Sequence, residues 1–134
     1  MASLLAGKRP SNLGAKDGRL APPKRTPNCV SSQADPSDAE HYVAPIAFEG
    51  APADAMAAAK RAVESMERSR LVREERGYLY AEFASKLLGF VDDLELLFDE
   101  KARVFHVRSA SRLGRRDFGV NRKRVEVLRS ALSR

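Results

Sequence analysis

The period of the apolar residues changes twice along this chain, from helical spacing to alternation and back. Met56, Ala59, Val63 and Met66 recur three or four residues apart, predicting a helix that turns this face to a sheet. Pro52 suits its first turn and Asp54 its positive end, while Glu64 and Arg68 stand at i,i+4 spacing near its close. Residues 71–75 and 78–85 then read as strands around Arg76-Gly77. Leu79, Ala81 and Phe83 share one face of the second strand, and Tyr78, Tyr80 and Glu82 share the other. Residues 86–89 form a short connection whose Leu87 and Leu88 are expected to cap the core. The last element is a basic helix with Val125, Leu128 and Leu132 as its apolar stripe, capped by Asp117 or Asn121.

Residues 90–111 predict a hairpin with a definite register. Taking Asp99, Glu100, Lys101 and Ala102 as the loop sets Phe98 opposite Arg103, Leu96 opposite Phe105 and Leu94 opposite Val107. The other face then pairs Glu95 with His106 and Asp93 with Arg108. A slip of one residue would turn every apolar side chain to the wrong face.

Five of the seven prolines and three glycines lie in residues 1–40, where no helical or strand period survives. We read 1–40 as an extended arm docked on a single α+β domain at 41–134. His41 to Phe48 has strand composition, but Pro45 confines it to an edge. The expected order is β-α-β-β-β-β-α: an antiparallel sheet of about five strands with two helices on one face.

Charge is unevenly spread. The formal net charge is +6, yet residues 101–134 hold eleven Lys and Arg against two acids, and residues 36–100 hold seven against fourteen. Such a basic end favours an anionic small molecule or an acidic protein surface. It also admits nucleic acid, but no helix-turn-helix, zinc-finger or RNA-recognition signature accompanies it, only Tyr78 and Tyr80 as stacking candidates. The single cysteine forms no internal disulfide, no Cys/His set has zinc spacing, and no cofactor or metal is expected. The opening MASLLAGKRP is too short for a signal-peptide core, and no stretch is long enough to span a membrane, so the expected location is cytoplasmic.

Five blocks resemble a known family: RPSNLG at 9–14, PNCVSSQA at 27–34, HYVAPIAF at 41–48, GFVDDLEL at 89–96 and VRSASRLGRRDFGVNRKRVEVLR at 107–129. The family is the bacterial and plastid one designated domain of unknown function fourteen-ninety-nine. The resemblance spans nearly the whole chain and implies no activity, cofactor or catalytic residue. Members often carry a second cysteine just before the PNCVSS block. This chain has Pro22-Pro23-Lys24 there, so no paired-cysteine role carries over.

Candidate chemistry concentrates where the hairpin meets the last helix. Arg108, Ser109, Ser111, Arg112, Arg115, Arg116, Asn121, Arg122 and Arg124 form a donor-rich run that suits a carboxylate or phosphate. Arginines ahead of a helix N-terminus add to its positive end, which itself points to an anion or carboxylate nearby. The competing structural reading is that these arginines bind the domain's own acids, Asp92, Asp93, Glu95 and Asp117. Asp92 falls on the core face and needs donors, with Arg112 or the backbone as partner. Asn28, Cys29, Ser31, Ser32 and Gln33 are expected to bring the arm over this region. Cys29, with His41 or His106 as base, is the weak candidate for a catalytic nucleophile, against a buried structural thiol. The reading that follows is a non-catalytic binding module for an anion. A Cys29-dependent enzyme and a nucleic-acid binder are its alternatives.

Overall fold

Alternation of apolar and polar residues through the middle of the chain builds one antiparallel sheet with two dissimilar faces. A computed structural model describes residues 5–133; the first four positions of the expected arm, and Arg134, lie outside them. The elements in order are β1 (Cys29–Ser31), β2 (Ile46–Ala47), α1 (Pro52–Glu64), β3 (Ser69–Glu75), β4 (Tyr78–Ala84), β5 (Val91–Asp99), β6 (Val104–Ser111) and α2 (Val120–Leu132). The sheet runs β1-β6-β5-β4-β3, and β2 pairs with β6 farther along the same edge as β1. The fold is α+β, with six strands and two helices among the described residues.

One face is apolar. Leu79, Ala81, Phe83, Leu94, Leu96, Phe98, Phe105 and Val107 pack against Ala55, Ala59, Ala62 and Val63 of α1 and Val125, Leu128 and Leu132 of α2. Phe48, Phe98 and Phe105 meet at ring centroid distances of 4.9–6.5 Å. The opposite face carries Tyr78, Tyr80, Glu82, Asp93, Glu95 and Arg108, and the chain N-terminal to β1 lies across it. Leu20 and Leu13 pack on Tyr78 and Tyr80 there. Gly7 has φ +79, and a Cβ on it would stand 3.0 Å from Arg112 Cβ, so this close approach needs glycine.

Four sequence expectations are corrected. The β5–β6 hairpin keeps its predicted faces, but its register differs by two residues. Phe98 faces Phe105, Leu96 faces Val107, Leu94 faces Ser109, Glu95 faces Arg108 and Asp93 faces Ala110. The loop is 100–103, because the Asp99 carboxylate accepts from the Lys101 and Ala102 amides and Arg103 takes φ +56. Second, α1 ends at Glu64, so Arg68 lies beyond it and pairs with Glu67 at 3.2 Å. Third, Leu87 and Leu88 do not cap the core; both are exposed. Fourth, a strand appears inside the proline-rich segment, where Cys29–Ser31 pairs with β6. Ser32 extends that contact: its amide donates to the Val107 carbonyl at 2.9 Å, and its Oγ accepts from the Val107 amide at 2.8 Å.

Candidate functional site

The sheet divides the arginine-rich run between its two faces. On the helix side, Arg124 donates to Asp92 at 2.9 Å and its guanidinium lies 4.6 Å from the Phe83 ring centroid. Its Nη1 also reaches Ser109 Oγ and Asn121 Oδ1 at 3.1 and 2.8 Å. Asp92 therefore finds its partner on α2 rather than in Arg112. Asn121 is fully buried, and its Nδ2 donates to Asn28 O, Ser111 Oγ and Asp117 Oδ2. Asp117 caps α2 by accepting from the Gly119 and Asn121 amides. Burial pushes this carboxyl up, but those hydrogen bonds outweigh it and hold it below the ordinary aspartate range. The positive end of α2 thus already has its carboxylate.

On the arm side, Arg112 forks onto Asp93 through Nε and Nη2 at 2.9 Å each, and Nη2 also reaches Glu82 at 2.6 Å. The Tyr80 hydroxyl donates to Asp93, and the Tyr78 hydroxyl donates to Glu95 at 2.5 Å. Burial, and the acceptor carboxylate beside each, push both phenols well above their ordinary value, so they remain donors. Gly14 of the arm donates its amide to Glu95 at 2.8 Å. Arg108 binds neither Asp93 nor Glu95; it donates to the Pro22 carbonyl at 3.2–3.3 Å and so holds the arm. Tyr78 and Tyr80 are buried beneath the arm, with Arg73 and Arg9 over their rings, so neither offers a face for a base to stack on.

The remaining candidates are scattered. Arg122 donates to the carbonyls of Ala39, Glu40 and Tyr42, tying that loop to α2. Arg115 and Arg116 lie exposed in the β6–α2 loop. Asn28 grips the same loop through the carbonyls of Leu113 and Gly114 at 3.2 and 2.8 Å. Gln33 bonds Leu20 and Gly18, and Ser31 Oγ accepts from the Gln33 amide, so both order the arm itself. Cys29 is completely buried in β1. Neither histidine addresses it: His106 Nδ1 lies 3.4 Å from Ser32 Oγ, and His41 is engaged elsewhere. A thiol so enclosed reaches a substrate only when the strand opens.

His41 ties the arm to the loop that follows it. Its Nδ1 lies 2.8 Å from Asp38 and its Nε2 lies 2.9 Å from the Thr26 carbonyl. Both partners accept, so the doubly protonated ring satisfies them best. Burial lowers this pKa, but Asp38, the Thr26 carbonyl and Glu40 together raise it above the ordinary histidine value. A raised folded pKa means the stabilisation is fully present below about pH 6.5, the unfolded value, and is lost as pH rises through the folded one. The thermal midpoint is expected to fall with rising pH over that interval and to lose this slope in His41→Ala. An unchanged slope in the variant would assign it to another group.

A convergence absent from the sequence reading lies on the arm side of the β3 edge. Among the described residues, Arg9, Arg68, Arg70 and Arg112 line an open cleft of about 520 Å³ with Ala6, Gly7, Ala84, Gly89, Val91 and a single acid, Glu82. Arg9 and Arg112 both bind Glu82, at 2.7 and 2.6 Å, and together hold its carboxyl below the ordinary range against the opposing effect of burial. Arg68 and Arg70 are exposed, and Arg68 is paired at 3.2 Å with Glu67, which is not among the residues lining the cleft. Arg68 takes φ +58, a conformation an L side chain rarely adopts, at the point where the chain enters β3. Only the place of Arg70 could be read from the sequence, since a strand begun at Ser69 rather than Leu71 sets Arg70 opposite Glu82.

Among the described residues no group of three or more His, Cys, Asp or Glu is placed to hold a metal ion. No helix among them is long and apolar enough to cross a membrane. No curated protein and no solved structure matches the chain. A family model, described as protein of unknown function DUF1499, matches residues 19–132. That match takes in every strand and both helices, and the chain belongs to this family.

Proposed function

We propose that this domain is a non-catalytic binding module for a small anion, a carboxylate or phosphate, held in the cleft of Arg9, Arg68, Arg70 and Arg112. The observation that carries the reading is the charge count of that cleft: four guanidinium groups against the one carboxylate of Glu82. Glu82 is engaged by Arg9 and Arg112 and Arg68 is paired with the exposed Glu67, which leaves Arg70 as the main fork for a ligand, with Arg68 beside it. The reading keeps Arg112 from the run expected in sequence. It moves the ligand away from α2, where Asp117 occupies the helix end that an anion would need.

Inorganic phosphate and succinate, each titrated at low salt while backbone amide shifts are followed, test the reading. Saturable shifts are expected at residues 68–70, 82–84, 89 and 112. Arg70→Ala should weaken binding about tenfold, the effect of one hydrogen bond between charged groups. Linear, unsaturated shifts with both probes, or equal affinity in an Arg68→Ala/Arg70→Ala variant, would remove the cleft as the site.

A further inference from the structure

Exposed apolar side chains gather at one end of the domain, on two loops that face each other. Residues 86–89 are pinched off by paired bonds, Ser85 amide to Phe90 carbonyl at 2.7 Å and Phe90 amide to Ser85 Oγ at 2.9 Å, so they project as a tip. Leu87 on that tip is 89 % exposed. On the β6–α2 loop, Phe118 is 95 % exposed and holds φ +54, so a bulky ring is kept in solvent on a strained backbone. Phe90 and Val91 on one side and Leu113 and Val120 on the other line a groove of about 340 Å³ between the two loops.

The charges around these tips are mostly cationic. Lys86, Arg115 and Arg116 are exposed. Of the acids beside them, Asp117 is committed to the α2 amides and Asn121, Asp92 to Arg124, and Glu40, exposed near Phe118 and Arg116, stands 3.6 Å from His41 Nε2. Apolar points standing well out of a cationic collar suit a bilayer better than a folded protein. A protein surface would need a continuous flat patch or a matching cavity for each point. A bilayer accepts separate side chains among its acyl chains and supplies phosphates to the collar.

We propose that this end docks on an anionic membrane surface. Leu87 and Phe118 insert below the headgroups, and Lys86, Arg115 and Arg116 contact lipid phosphates. This surface adjoins the anion cleft, sharing Arg68, Ala84 and Val91 with it, but its inserting tips and the cations Lys86, Arg115 and Arg116 are no part of that cleft.

Co-sedimentation of the full chain with vesicles tests the proposal, comparing pure phosphatidylcholine with a mixture holding about one-third phosphatidylserine. Binding is expected on the mixed vesicles only, and weaker as salt rises. Arg115→Ala/Arg116→Ala should lose about thirtyfold, at about 1 kcal/mol for each cation near an anionic surface. Phe118→Asn should lose about tenfold through the missing ring. Its thermal midpoint should hold or rise, because asparagine tolerates a left-handed backbone. A midpoint that holds or rises separates a lost contact from a damaged fold. Equal binding to both vesicle types, or wild-type binding in both variants, overturns the proposal. So does a dimer that forms without lipid and is abolished by Phe118→Asn, since the apolar tips would then serve a protein contact.

Discussion

Arg112→Ala is expected to destabilise the domain by about 3–5 kcal/mol, the usual result of removing one partner of a buried charge pair. The side chain is 7 % exposed and its main partner, Asp93, 2 %. Alanine leaves Asp93 with the Tyr80 hydroxyl alone and leaves Glu82 with Arg9, so two carboxylates face each other beneath the arm across the place of the lost cation. Total stabilities near 5–15 kcal/mol make this about a fifth or more of what holds the fold. Arg112 also donates to the Gly7 carbonyl, so the arm is expected to loosen in the same variant.

Two companions make the result diagnostic. Arg112→Lys keeps the charge but not the planar fork that spans Asp93 and Glu82 together, and should recover only part of the loss. Arg112→Met combined with Asp93→Leu removes both charges and should lie closer to the wild type than Arg112→Ala does. Urea unfolding measures all three. A loss below about 1 kcal/mol for Arg112→Ala would place the guanidinium in solvent, as surface ion pairs are worth no more than that. This demand on Arg112 is why the anion cleft is better probed at Arg68 and Arg70, which are exposed and carry little of the fold.

Patterns of period two and period 3.6 were legible because one face of each element is buried. Leu79, Ala81 and Phe83 had to share a side, as did Val125, Leu128 and Leu132, and both sets lie in the core. The hairpin faces were legible for the same reason, but the register was not. A shift of two residues keeps every side chain on its face, so apolar alternation is blind to it, and the loop was decided by Asp99 capping two amides. Alternation alone therefore pairs Asp93 with Arg108, whereas Arg112 is the residue that reaches it.

The candidate site was legible as a composition and not as a place. Arg108 and Arg112 point to the arm side, while Ser109, Asn121 and Arg124 meet on the helix side, and a run of neighbours in sequence cannot show that a sheet passes between them. Arg9 and Arg70 are 61 positions apart in the chain and converge only because the proline-rich segment crosses the sheet. Nor could exposure be read from identity. Leu87 and Phe118 have the composition of core residues, and it is the loop geometry around them that turns them outward.

Asn121→Asp is expected to destabilise by about 4 kcal/mol or more, beyond the roughly 2–3 kcal/mol of Asn121→Ala, because it turns a buried donor into a charged acceptor. Asn121 Nδ2 points at three acceptors: Asp117 Oδ2 at 2.7 Å, Ser111 Oγ at 2.9 Å and the Asn28 carbonyl at 3.2 Å. Its Oδ1 meanwhile accepts from Ser109 and Arg124. Alanine removes these bonds. Aspartate instead sets an oxygen against Asp117 and the Asn28 carbonyl, with Arg124 able to neutralise only the other oxygen. Burial and the neighbouring Asp117 raise the folded pKa of the new carboxyl above its unfolded value of about 3.9, so the folded state takes up a proton more readily. The deficit of Asn121→Asp relative to Asn121→Ala should therefore shrink as pH falls through that raised value, where an O–H can again donate to Asp117. Unfolding free energies of the two variants between neutral and acid pH read this directly. A gap that is constant with pH would mean the new carboxylate has swung to solvent, and that α2 does not hold its N-terminus to β6 through this side chain.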